Sequence, residues 1–300
     1  MGGRAPGDPA ATAEAGVRTV DSGTDFRGLA RAGTPLARLT LTREALVDDL
    51  RALGVRHGQT LLVHASLSAI GWVEGGPATV VAALHDSVGE TGTIVMPTTN
   101  EENSTTSRAH LRLVLGKTPG EVEEYRAQMP AFDRLLTKAT GAGRIAEALR
   151  TTPGAIRSGH PQSSFSAIGA QAAGLMAGHR LTSHLGEESP LAAVYNVEGA
   201  AILMIGVGYQ ACSALHLAEY RYTDRPPTRV YECVVSTDGE RHWTDYRDVV
   251  LDDEEFGLIG RRARELVGGA SGRVGNAESR LMPLRGVVDF ATDWMATHRS

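Results

Sequence analysis

The uninterrupted apolar run Ala200-Ala-Ile-Leu-Met-Ile-Gly-Val-Gly208 sets the strongest limit on what this chain can fold into. It carries no polar residue at alternate positions, so a strand made from it must be covered on both faces. Strands of that kind belong to α/β architectures, where helices pack on each side of a sheet. The run leads into Ser213-Ala-Leu-His216-Leu-Ala-Glu219-Tyr220. Serine is a favoured helix N-cap, which places His216 in the first turn and Glu219 one turn on, on the same face. An imidazole at the C-terminal end of a buried strand, with a carboxylate three residues away, suits a general base and its orienting partner. It suits equally a surface histidine with an i,i+3 partner, and these residues alone do not choose.

The alternation of strand and helix begins earlier. Residues 42–50 predict a helix with Leu46, Leu50 and Leu53 at helical spacing and a stop at Gly54. Residues 59–63 follow as a strand, and Pro77 opens a helix whose apolar face is Val80, Val81, Leu84 and Val88. Thr93-Ile-Val-Met96 is the next strand, closed by Pro97. Strand, helix, strand in this order implies a parallel pair with a right-handed crossover. Residues 98–138 break the pattern with a polar stretch and a short charged helix at 121–126, and a segment this long after a strand end is more often functional than structural. Helices at 144–150 and 169–176 flank Arg157-Ser-Gly-His160-Pro-Gln-Ser-Ser-Phe165. Alternation at 229–235 and 241–246 around Asp238-Gly239 predicts an antiparallel hairpin, and amphipathic helices near 252–266 and 286–297 close the chain. Residues 1–38 are rich in Gly, Ala, Pro, Thr and Asp without periodicity and read as a poorly ordered arm.

Three hundred residues fit two domains or one large α/β domain. A net charge of −5 gives no reason to expect nucleic acid and mildly favours cationic partners. The two cysteines, Cys212 and Cys233, cannot build a disulfide scaffold or a four-cysteine zinc site, and they fit a reducing, cytoplasmic compartment. No apolar stretch is long enough to span a bilayer, and the N-terminus lacks the apolar core of a signal peptide.

Several segments invite chemistry. Val63-His-Ala-Ser66-Leu-Ser68-Ala-Ile-Gly71-Trp-Val-Glu-Gly75-Gly76 joins a strand to a helix through small residues, offering N–H groups and hydroxyls to an anionic or amide-rich ligand, though an ordinary βα loop with glycine turns has the same look. Gly206-Val-Gly208-Tyr-Gln-Ala211 fits a dinucleotide fingerprint with Glu232 further on, but Pro226-Pro227 cuts the following helix short and Glu232 falls in the hairpin, so a nicotinamide site is rejected. Cys212 near His216 suggests a thiol–imidazole pair, yet it would lie at or outside the N-cap and is expected to pack instead. His64, His160, His184, His216 and Glu219 match no usual zinc spacing, so no metal is expected. Glu101, Glu102, Asp133, Glu187 and Glu188 lie in loops; gathered over the strand edge near His216, they would form a negative cleft for polyamine-like cations.

Taken together, the 63–76 segment, Gly92-Thr-Ile-Val-Met-Pro-Thr98, Met129-Pro-Ala-Phe-Asp133, 157–165, Leu185-Gly-Glu-Glu-Ser-Pro190 and Gly206-Val-Gly208 through Leu215-His-Leu-Ala-Glu-Tyr-Arg221 resemble the aminoglycoside 3-N-acetyltransferase family. They occur in the family's order over roughly residues 40–295. The resemblance implies one α/β acetyltransferase domain over 39–300, with a mostly parallel central sheet, flanking helices and an added antiparallel hairpin. It implies acetyl-CoA as co-substrate with no metal, a cationic small-molecule amine as partner, and neither nucleic acid nor membrane; a homodimer is left open. By the same resemblance His216 and Glu219 are the catalytic base and its partner. His64, Ser66, Leu67, Ser68, Gly71, Val73 and Thr98 would contact the cofactor, and Asp133, Glu187, Glu188 and Gln210 the acceptor. Two departures stand out: Gln210 replaces an aspartate that many relatives carry six residues before the histidine, and the stretch after Thr98 differs from the aspartate-containing loop of resistance enzymes. The expected reaction is direct acetyl transfer to a 3-amino group. The alternatives are another amine-bearing metabolite, a CoA thioester hydrolase using Ser213 or Cys212, and a non-catalytic CoA-binding protein.

Overall fold

Thr42 caps α1 (Arg43–Leu53) through its side-chain oxygen, and Leu46, Leu50 and Leu53 turn inward as their spacing predicts. The computed structural model describes residues 40–299, so the expected N-terminal arm at 1–38 lies outside the described residues. From α1 the chain enters β1 (Thr60–Ala65), a short turn of helix α2 (Leu67–Ile70), α3 (Pro77–Val88) and β2 (Thr93–Pro97). The long polar segment holds two helices, α4 (Arg108–Val114) and α5 (Pro119–Gln128), of which only the second was expected. After α6 (Gly143–Thr151) come β3 (Ile156–Arg157), β4 (Phe165–Gly169), α7 (Ala172–Met176) and α8 (Pro190–Tyr195). Then follow the central strand β5 (Ala201–Ile205), α9 (Ala214–Glu219), the hairpin β6 (Thr228–Thr237) and β7 (Glu240–Val249), and α10 (Phe256–Val267). The chain closes with β8 (Ala270–Val274), β9 (Ala277–Pro283) and α11 (Leu284–His298).

The main sheet has seven strands in the order β3-β4-β2-β1-β5-β9-β8, and the hairpin stands apart as its own two-stranded sheet. β1 pairs parallel with β2 on one side and with β5 on the other. The outer pairings are antiparallel, so β3, β2, β1, β5 and β8 run one way while β4 and β9 run the other. The parallel centre is the expected one; the antiparallel margins were not read from the sequence.

Every residue of β5 is buried, as its unbroken apolar run requires. Side chains alternate across a strand. Leu62, Ile202 and Met204 therefore join one core with α8, α9, α10 and α11, whereas Leu61, Val63, Leu203 and Ile205 join a second core with α1, α3 and α6. His64 lies two residues beyond Leu62 and so faces the layer that contains α9. The hydrophobic effect thus turns an imidazole on β1 toward the helix that carries His216. Among the described residues no helix is long and apolar enough to cross a membrane.

Candidate active site

In an open α/β sheet the crevice outside the carboxyl ends of the strands is where ligands bind. Here that crevice is a cavity of about 340 Å³ whose wall is built by His64 and Ala65 at the end of β1, Met96 and Pro97 at the end of β2, and Val207 just past β5. Gln210, Ser213 and His216 complete it from the turn and helix that follow β5.

His216 Nδ1 lies 2.6 Å from Glu219 Oε2. A carboxylate can only accept, so Nδ1 carries the proton and Nε2 is the nitrogen left to take one up. The imidazole keeps 18% of its side-chain surface exposed, whereas Glu219 keeps 1%. The imidazole therefore reaches the cavity while the carboxylate is sealed behind it. Glu219 is fully engaged: its Oε1 accepts from the backbone N–H of Asp252 at 2.9 Å and from Arg299 Nη1 at 2.8 Å. Phe256 at the start of α10 packs against the imidazole with ring centroids 4.6 Å apart. A buried carboxylate with three donors holds one imidazole tautomer and one orientation, as a general base requires.

Ser213 departs from expectation. Its backbone is helical and its side chain caps nothing. The hydroxyl instead lies 3.3 Å from His64 Nε2 across the cavity. Burial, followed by the nearby charge of His216, pushes His64 down to about 4, so its ring is neutral at physiological pH. Cys212 is buried, and desolvation pushes its thiol up to about 12. Such a thiol is protonated at neutral pH and no nucleophile, in keeping with a packing role.

Beside this cavity runs a groove of about 630 Å³ lined by Ser66, Leu67, Ser68, Gly71, Trp72 and Val73 from the β1–α3 connection and by Gly143 and Arg144 from α6. The two spaces share Ala65, and Ala142 of the cavity wall is followed by Gly143 of the groove. The groove and the cavity therefore adjoin at Ala65 and at the start of α6. A Cβ on Gly76 or Gly143 would meet nothing within 4 Å, so the groove is open at both walls. The Ser66 and Ser68 hydroxyls are 3.0 Å apart, and Arg144 supplies a cation suited to phosphate. These residues fit a phosphate-bearing pantetheine chain.

The structure brings together His216, Glu219, His64 and Gln210 at the cavity, and Ser66, Leu67, Ser68, Gly71 and Val73 at the groove. It does not place Thr98 there. Thr98 is fully buried, and its hydroxyl bonds to Ser164 O, just ahead of β4, and to Ser166 Oγ within it. Thr99 lines the cavity instead, in step with Pro97 two residues before it, whereas Thr98 falls on the opposite side. The expected acidic cleft also fails. Glu187 pairs with Arg221 and Glu188 with Arg180, both at exposed positions. Asp133 accepts from the backbone N–H groups of Leu136 and Leu135, which hold its carboxyl below the ordinary value, and it lines a different cavity with Phe132 and Arg134. No carboxylate lines the His216 cavity among the described residues. Glu101 alone of the expected set is seen against a lining residue, Gly141.

Sequence reasoning missed Arg299, the Asp252 N–H, Arg144 and Trp72. The first two are brought in from 80 and 33 positions away, and no local pattern announces either. Trp72 did carry a signal, as a large aromatic inside a glycine-rich turn, and it stands 61% exposed. His160 and His184 do not line the cavity; they form a buried cluster with His179. Among the described residues no group of three or more His, Cys, Asp or Glu could hold a metal ion.

A family model described as aminoglycoside 3-N-acetyltransferase matches residues 62–296. The chain is 38% identical over 279 residues to aminoglycoside N(3)-acetyltransferase VII of Streptomyces paromomycinus, spanning 85% of this chain and 91% of that protein. The crystal structure of the YokD protein from Bacillus subtilis superposes with a TM-score of 0.80 at 35% identity, covering 87% of this chain and 95% of that one. A solved structure described as AAC-IIIb binary with CoASH superposes at 0.75 with 31% identity, covering 86% and 97%. The fold is thus that of a known class of transferase. This chain belongs to the aminoglycoside 3-N-acetyltransferase family.

Proposed function

We propose that this protein transfers an acetyl group from acetyl-CoA directly to an amine, the 3-amino group of an aminoglycoside, with His216 as general base. The observation that carries the reading is the His216–Glu219 pair: one nitrogen is committed to a sealed carboxylate and the other left to the cavity. The groove leading from Ser66 to the cavity suits the pantetheine arm, and the similarity to a protein solved with CoASH supports that use. Acetyl-CoA would lie with its thioester beside His216. The amine nitrogen attacks the carbonyl carbon while His216 Nε2 takes its proton. The C–N bond forms, the C–S bond breaks, and the thiolate of CoA leaves, to be protonated by the imidazolium. An alkylammonium cannot attack until it loses a proton, and assistance of this kind is worth on the order of 10²–10⁴ in rate. Ser213, held by neutral His64, is a hydroxyl donor within the same cavity for the developing oxyanion.

His216→Ala should lower kcat/KM at least ~10²-fold while CoA affinity stays nearly native. Initial rates should give intersecting double-reciprocal lines, since both substrates must be bound together. Near-native turnover by the alanine variant would remove the base from the mechanism, and parallel lines would establish a covalent route in place of direct transfer.

One feature of the cavity favours a second acceptor. Among the described residues its lining offers the Gln210 amide and no carboxylate, so it gives a polycation less than an acidic site would. An amine with a single charge is the alternative acceptor for the same chemistry, and a panel of amines ranked by release of free CoA distinguishes the two.

A further inference from the structure

We propose that Arg299 is a positioning residue that tunes the catalytic dyad: it holds Glu219 in place and limits how tightly His216 binds its proton. The inference rests on the reading of His216 as the base. Arg299 lies beyond residue 296, where the family match ends, so family membership assigns it nothing. Its guanidinium spans three partners. Nη1 donates to Glu219 Oε1 at 2.8 Å, Nε to Glu255 Oε2 at 2.7 Å, and Nη2 to the carbonyl of Asp252 at 3.0 Å. The side chain is 16% exposed, so water screens the contact with Glu219 weakly.

A lone buried carboxylate at 2.6 Å would favour the imidazolium strongly, because opposite charges at that distance stabilise the charged form. A base that is already protonated accepts nothing. Arg299, on the far oxygen of the same carboxylate, offsets part of that negative charge while holding Glu219 fixed. Positive charge behind the carboxylate therefore leaves His216 oriented by Glu219 yet unprotonated over more of the neutral range. Among the described residues few other groups face the pair. His64 on β1 is kept neutral by burial and adds no charge near neutrality. His184 is shifted down by desolvation. Glu255, ahead of α10, is on the side of Arg299 away from Glu219 and anchors the guanidinium. Asp252 meets Glu219 through its N–H and turns its own carboxylate to the N–H of Glu254.

The test compares Arg299→Met and Arg299→Lys with the native chain, using two readouts. In kcat/KM against pH for amine acetylation, Arg299→Met should move the acid limb up by roughly half to one pH unit. Activity near pH 6.5 should then fall more than activity near pH 9, with KM for acetyl-CoA little changed. Arg299→Lys keeps the charge and should restore most of the limb. The second readout needs no turnover: the pH titration of the His216 ring-proton resonance in the amine-free protein, assigned by its loss in His216→Ala. Its midpoint should rise in Arg299→Met and return in Arg299→Lys. An unmoved midpoint in a folded Arg299→Met protein, with activity lost equally at every pH, overturns the proposal and leaves Arg299 an ordinary anchor of α11. A midpoint that moves while the rate profile stays put upholds the Arg299 coupling and removes His216 as the base.

Discussion

At the scale of single residues, the site is defined as much by what Gln210 lacks as by what His216 has. The Gln210 side chain shares the cavity with His216 and approaches Gly208 and Gly257, so a shorter acid at this position would fit without new contacts. Gln210→Asp would put the only carboxylate into the lining. We expect it to lower KM for a multiply charged aminoglycoside several-fold at low ionic strength, and to make that KM rise with added salt as the Debye length falls to about 8 Å. kcat should change less, because such a charge holds the ground and transition states about equally. Steady-state kinetics at two salt concentrations check this; a KM indifferent to both the substitution and the salt would show that the ammonium groups do not face Gln210. The candidate residues were legible in the sequence where chemistry and spacing coincide, as in His216 and Glu219, three apart on one helix. They were not legible where folding joins distant segments. Glu219 meets Arg299 across 80 positions, and Ser213 meets His64 across 149, so neither pair has a local signature. The expected acidic cleft failed for a related reason: charge in a loop says nothing of its partner, and Arg221 and Arg180 had already taken Glu187 and Glu188.

At the scale of elements, the parallel centre of the sheet was readable because β1, β2 and β5 are buried runs bounded by helices with clear starts and stops. The hairpin was readable because its turn demands left-handed residues, and Asp238 and Gly239 take φ values of 53° and 82°. β8 and β9 were missed. The first is short and mostly exposed, with Ser271 and Gly272 where a strand signal calls for apolar or β-branched residues. β4 hid behind the serines that precede it, which are buried and bonded within the fold. Between elements, Gly206 controls how β5 hands the chain to the site. It adopts a φ of 65°, its N–H donates to Glu278 O at 2.9 Å, and a Cβ there would strike Ala69 of α2. Since α2 carries the Ser66–Ser68 wall of the groove, Gly206→Ala should lower unfolding stability by about 1–3 kcal/mol and raise KM for acetyl-CoA. Thermal melts and acetyl-CoA titration check it. An alanine variant with native stability would mean that α2 is free to move aside and that its placement does not depend on the β5 turn.

At the scale of the whole molecule, burial pulls four histidines below the ordinary imidazole value. His64 and His179 are each pushed down to about 4, His160 well below its ordinary value and His184 in the same direction, burial being the first cause for every one. Three of them form one cluster that ties the segment between β4 and α8 to the hairpin, with His160 centred 4.8 Å from His179 and 4.6 Å from His184. The hydrogen bonds suit neutral rings: His160 Nδ1 accepts from the N–H groups of Gln162 and Ser163, so its proton sits on Nε2 and goes to Leu181 O. His184 differs, since Asp248 accepts from its Nδ1 at 2.7 Å and partly offsets the effect of burial. The linkage has one sign. Unfolded histidines bind protons near pH 6.5 while the folded ones resist, so the unfolded chain gains protons as pH falls. This contribution to stability is complete above about pH 6.5 and is lost steadily from there down towards 4. Between pH 7.5 and 5.5 each fully neutral histidine removes about 1.4 kcal/mol, or about 4 kcal/mol for His64, His160 and His179 together. The urea midpoint should therefore drop clearly over that interval, which lies above the ordinary carboxylate range. His179→Gln, which keeps a polar side chain in the cluster without the titration, should flatten the slope by about a third. A midpoint that holds constant from pH 7.5 to 5.5 would show that these rings take up protons in the folded state, and that the buried cluster is a charged network.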